Sequence, residues 1–128
     1  MRIVVKQNIT TFSFLPQLVK ITYLRYINVL QNIKDTRSPR LRKSDMAYLY
    51  GSRARGTANE DSDWDVLIVL DKDELTTEDY NEISYPLTAL GWDLNQIISP
   101  IMYTKYDWEK SSFTPFYKNV QHDAIPLV

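Results

Sequence analysis

Residues 46–70 constrain the fold more than any other stretch of this chain. Met46 to Tyr50 is a short apolar run that stops at Gly51. Gly51-Ser52-Arg53-Ala54-Arg55-Gly56 is small and basic, Ser62-Asp63-Trp64-Asp65 is acidic, and Val66 to Leu70 is wholly apolar. An apolar run that ends at glycine reads as a strand, and the small residues after it read as a tight turn with a helix start at Ser52. Asn59 to Ser62 reads as a loop. Trp64 to Leu70 reads as a second strand. Its side chains are apolar at every position after Asp65, so it belongs inside a sheet that is covered on both faces.

The flanking segments supply the cover. Residues 2–14 are rich in Ile, Val, Thr and Phe and read as a strand. Pro16 suits the first turn of a helix running to about residue 34, with Val19, Tyr23, Tyr26, Leu30 and Ile33 on one face. Residues 35–44 are polar, contain Pro39 and read as a loop. Thr76 or Thr77 caps a further helix, with Glu78 and Asp79 in its acidic first turn. That helix runs toward Leu90 and Gly91 and is kinked or shortened by Pro86. Trp92 to Tyr103 reads as a third strand, bent at Pro100, and Pro115 to Gln121 as a last short helix. The expectation is an α/β (α+β) unit: a small mixed β-sheet with helices packed on it. The 128 residues form one domain. In it, residues 1–45 (strand, helix and basic loop) precede a core at 46–128.

Composition excludes several classes of function. At 44% hydrophobic and 24% charged residues the chain is an ordinary globular sequence. Its net charge of −1 rules out a general polyanion binder, so nucleic acid is not an expected partner. Positive charge is local, at Arg53 and Arg55 and in the run Lys34, Arg37, Arg40, Arg42 and Lys43. That run reads as a solvated loop, with an RNA or partner contact as the sharper alternative. There is no cysteine, which removes disulfides, thiolate metal sites and cysteine nucleophiles and is compatible with a reducing cytoplasm. No run is long enough to span a membrane, and no signal-peptide pattern is found. His122 is the only histidine and reads as a surface residue.

The chemistry lies in the turn and the acidic pair. On a strand Asp63 and Asp65 point the same way, and two adjacent carboxylates repel unless something positive sits between them. Mg²⁺ prefers oxygen ligands and completes its shell with water and substrate phosphates, so two protein carboxylates suffice. Gly51, Ser52, Ala54 and Gly56 are small enough for backbone to approach phosphates, and a helix start presents N–H groups to them. Arg53 and Arg55 are candidates for charge-assisted contacts with the phosphates. The glycine spacing is that of a P-loop, but Thr57 stands where the lysine of that loop is required, so a P-loop is excluded. Trp64, between the two acids, faces the other way and is expected in the core.

Leu49-Tyr50-Gly51-Ser52-Arg53-Ala54-Arg55-Gly56 followed by Ser62-Asp63-Trp64-Asp65-Val66 resembles the signature of the DNA polymerase β-like nucleotidyltransferases. It is most similar to the small stand-alone minimal nucleotidyltransferase (MNT-type) domains. The resemblance is close over 47–70, extends to about 120 and is weak over 1–45. It implies a polymerase β-like palm fold and transfer of a nucleoside monophosphate, commonly AMP from ATP or the equivalent from another NTP, to a hydroxyl. By position, Gly51 and Ser52 would hold the triphosphate, while Asp63 and Asp65 would ligate Mg²⁺ or Mn²⁺. The family pattern also wants a third carboxylate on the next core strand, and Asp93, in Gly91-Trp92-Asp93-Leu94, is the candidate. If Gln96 or Ser99 stands there instead, catalysis is in question.

No acceptor-binding domain is visible in the sequence, so the acceptor site is expected from a partner or a second copy of the chain. The resemblance implies a HEPN-domain protein as partner, as in toxin–antitoxin modules. Two alternatives remain open. One is a non-catalytic module of this fold that neutralises its partner by contact. The other is a transferase acting on a small antibiotic-like hydroxyl compound.

Overall fold

The computed structural model describes residues 15–37 and 40–127; the strand expected within 2–14 lies outside them. The order is α1 (Gln17–Arg37), β1 (Met46–Tyr50), α2 (Ser52–Arg55), β2 (Trp64–Leu70), α3 (Thr77–Asp79), a π-helical stretch (Tyr80–Ser84), α4 (Tyr85–Leu94), β3 (Ile98–Thr104), α5 (Lys105–Lys110), α6 (Pro115–Asp123) and β4 (Ile125–Pro126). The sheet runs β3-β2-β1-β4. β1 is antiparallel to β2 and β4, and β2 is parallel to β3. Among the described residues no helix is long and apolar enough to cross a membrane.

β2 lies inside the sheet and is covered on both faces, as its continuous apolar run requires. Strand alternation divides its side chains. Trp64, Val66, Ile68 and Leu70 pack with Val29, Leu30 and Ile33 of α1 and with Ile83 and Leu87. Leu67 and Val69 pack on the opposite side with Trp108 of α5 and Val120 of α6. The expected helical face of α1 is the inner one, with Leu30 and Ile33 buried.

The junctions follow from individual side chains. Asp45 is buried ahead of β1, and its carboxylate accepts hydrogen bonds from the backbone N–H groups of Asp71 (2.8 Å) and Arg42 (2.9 Å). Arg42 in turn donates to the Asp71 carbonyl at 2.6 Å. Part of the basic run thus ties the entry of β1 to the exit of β2. Thr76 caps α3 in a reciprocal capping box with Asp79. The π-helical stretch occurs where Pro86 has no N–H to give the Glu82 carbonyl, and the wider turn accommodates the ring.

Two expectations are corrected. The helix does not stop at Gly91 but continues through Trp92, Asp93 and Leu94 to a left-handed cap at Asn95 (φ 53°). The third strand therefore begins at Ile98, not Trp92. It runs on through Pro100, which is tolerated because β3 is an edge strand among the described residues. Two elements go beyond the sequence expectation: α5, capped by Thr104, and β4, which returns to pair with β1.

Candidate functional site

The acidic pair and the Gly-Ser turn meet at one end of the sheet. β1 delivers the chain to Gly51, whose backbone (φ 74°, ψ −160°) is closed to residues with a side chain. α2 follows at once, and Ala54 and Arg55 donate back to the Gly51 carbonyl at 3.0 Å each. Gly56 ends the turn in the left-handed region at φ 77°. By construction the first N–H groups of such a turn, at Ser52 and Arg53, lack acceptors within it. Tyr50 pairs with Asp65 across β1 and β2, and a Cβ placed on Gly51 would collide with the Asp65 carboxylate. The glycine is what lets the carboxylate lie directly against the turn.

Asp65 is half-buried and Asp63 is exposed. Burial pushes the Asp65 carboxyl above its ordinary range. The Asp63 charge pushes it further, against a smaller pull from Arg55. Burial, the Asp65 charge and Tyr103 together push the Tyr50 hydroxyl up to about 12. The site is thus short of positive charge around its two acids, which suits a hard cation with oxygen ligands.

The arginines are engaged elsewhere. Arg53 donates to the Ser62 carbonyl (Nη2, 3.0 Å) and to that of Glu60 (3.4 Å), and its guanidinium lies 4.6 Å over the Trp64 ring. It fastens the loop between α2 and β2. Arg55 forms an ion pair with Asp123 at 2.7 Å. Both were candidates for phosphate contacts, and in this structure both bind protein groups.

Asp93 is not at the site. It is exposed on α4, ahead of β3, so it cannot serve as a strand carboxylate beside Asp65. Ser99 is the β3 residue paired with Asp65, and its Oγ donates to Asp63 Oδ2 at 3.2 Å. Among the described residues no group of three His, Asp or Glu side chains is placed to hold a metal ion. Asp123, the ion-pair partner of Arg55, is not legible in the sequence, because nothing local links it to the motif.

A cavity of about 580 Å³ lies behind Trp64, lined by Arg25, Tyr26, Arg53, Asn59 and Gln96 among others. Neither Asp63 nor Asp65 is among its described lining residues.

The family described as a nucleotidyltransferase domain matches residues 30–120. Among curated proteins none matches. A solved structure described as "Crystal structure of the toxin-antitoxin with AMP-PNP" is similar at a TM-score of 0.49 and 19% identity, over 81% of this chain and 70% of that one.

Proposed function

The chain belongs to the nucleotidyltransferase domain family, and from that premise we propose that it moves a nucleoside monophosphate, AMP from ATP, onto a hydroxyl acceptor. In this reading Gly51 and Ser52 receive the triphosphate, and Asp63 and Asp65 hold Mg²⁺ or Mn²⁺. The observation that carries it is the close approach of Asp65 to Gly51, which sets a carboxylate against the glycine turn. The donor set fits the cation, since two carboxylates on one side of β2, one raised above its usual range, gain from a positive charge between them. When bound, the cation neutralises phosphate charge.

The acceptor oxygen attacks the α-phosphorus, the bond to the bridging oxygen breaks and pyrophosphate leaves. What the chain contributes is positioning. The turn aligns the phosphates, and Arg53 keeps the loop before Asp63 closed. The acceptor reading follows the resemblance to MNT-type domains: a HEPN-type partner protein, met in the cytoplasm. A second reading is favoured by Ser99, which supplies a hydroxyl where a third carboxylate was expected. There the chain binds nucleotide and partner without turnover.

Incubation with α-labelled ATP, Mg²⁺ and a HEPN-type partner separates the two. Label on the partner that disappears with Asp65→Ala supports transfer. Full neutralisation of the partner by Asp65→Ala, with no label from the unaltered protein, sinks transfer in favour of the binding module.

A further inference from the structure

β3 runs parallel to β2 with Ser99 in register with Asp65. Residues paired in this way point their side chains to the same side of the sheet. Ser99 therefore completes the acidic corner, and its hydroxyl donates to Asp63 Oδ2 at 3.2 Å. The third side chain at the corner is neutral. No third His, Asp or Glu joins the pair among the described residues, and Asp93 is on α4.

Resting on the reading that Asp63 and Asp65 hold a cation with the triphosphate, we propose that Ser99 limits this site to a single divalent cation and acts as a positioning residue that orients Asp63. Two divalent cations about 4 Å apart repel with four times the energy of two unit charges, and anionic ligands must offset that repulsion. Asp63 and Asp65 bring two negative charges, and a serine hydroxyl adds none. One Mg²⁺ is well served, because it takes one or two carboxylates and fills its octahedron with phosphate oxygens and water. The hydrogen bond from Ser99 fixes one Asp63 oxygen and leaves the other for the metal. The missing carboxylate also has a chemical consequence. A proton shed by an attacking hydroxyl leaves to water or to a base on the acceptor.

Equilibrium dialysis of the full chain against Mn²⁺ and a saturating non-hydrolysable ATP analogue measures bound Mn²⁺ per bound analogue. The expected ratio is one for the unaltered protein and two for Ser99→Asp. A ratio of two for the unaltered protein overturns the proposal, and that measurement needs no variant to fold. A ratio that stays at one in a folded Ser99→Asp also overturns it. Absence of any bound analogue overturns it together with the nucleotide-binding reading beneath it, whereas a ratio of two leaves that reading intact. Loss of one hydrogen bond in Ser99→Ala is expected to weaken binding of the Mn²⁺–analogue complex roughly three- to tenfold, with Ser99→Thr restoring it. An alanine variant that binds as tightly as the unaltered protein removes the positioning role.

Discussion

Gly51 carries two constraints at once: a backbone conformation that only glycine adopts easily, and a carboxylate lying where a side chain would begin. Gly51→Ala should therefore lose about 1–3 kcal/mol of stability from the backbone alone and weaken nucleotide binding as Asp65 is pushed aside. Urea denaturation and nucleotide titration check this, and a variant matching the unaltered protein in both would show that the close approach is dispensable. Asp65 gives a prediction of opposite sign. Burial and Asp63 raise its folded pKa. An acid raised in this way stabilises the fold below its unfolded pKa, and that stability is withdrawn as pH rises through the folded value. Without metal at pH 7, Asp65→Asn should therefore melt higher than the unaltered protein, with the gain vanishing below about pH 4. A lower melting temperature at pH 7 would count against charge repulsion at the site. At this scale the sequence is legible where the logic is local. Asp63 and Asp65 share a side by strand alternation, and glycine marks a turn. The partners of Arg53 and Arg55 are not legible, because a side chain's charge does not say which carbonyl or carboxylate it reaches.

The loop from Thr57 to Ser62 is held internally by Asn59 and Ser62 and fastened to the body of the protein by Arg53. Arg53 reaches across it to the Ser62 and Glu60 carbonyls while lying over Trp64, and Tyr26 of α1 donates to the Arg53 carbonyl at 3.1 Å. Arg53→Ala removes charge-assisted hydrogen bonds and a cation–π contact together, a loss of about 1–3 kcal/mol. Amide hydrogen exchange should quicken at 57–62 more than in β2, and uniform acceleration across the chain would mean that Arg53 supports the fold at large. The α4–β3 junction shows why element boundaries were harder to read than element identities. Gly91 reads as a helix end in the sequence, yet its lack of a side chain serves packing. A Cβ there would come within 2.7 Å of the Gln96 carbonyl oxygen. The actual stop is Asn95 in the left-handed region, with Gln96 N–H donating to the Gly91 carbonyl at 2.8 Å. A glycine demanded by close approach and one demanded by a cap look alike in sequence. The later start of the strand, at Ile98 rather than Trp92, moves Asp93 off it and leaves Ser99 beside Asp65. The parallel register that decides this is non-local, so alternation within either strand alone could not supply it.

Across the whole molecule, the end of the chain braces the site near its middle. α6 and β4 bring Asp123 to Arg55, while Ile125 pairs with Leu49 one residue before Tyr50. Leu127 N–H also donates to the Ala47 carbonyl at 2.8 Å. With a net charge of −1 there is no large overall field to order this end, so the coupling rests on these contacts. Burial would raise the Asp123 carboxyl, but hydrogen bonds from His122 and Arg55 and their charges outweigh it and hold the pKa below its ordinary value. An acid depressed on folding contributes stability that is present above its unfolded pKa and is lost as pH falls through the folded one. Asp123→Asn removes that contribution. Melting temperatures of the two proteins should thus differ at pH 7, with the unaltered protein higher, and converge as pH falls from about 5 to below 3. Because the same ion pair occupies Arg55 beside Asp65, the variant should also bind triphosphate differently from the unaltered protein at pH 7. A melting gap that stays constant from pH 7 to pH 3 would show that Asp123 supports the fold by packing rather than by its charge, and the link between the last helix and the site would then be steric.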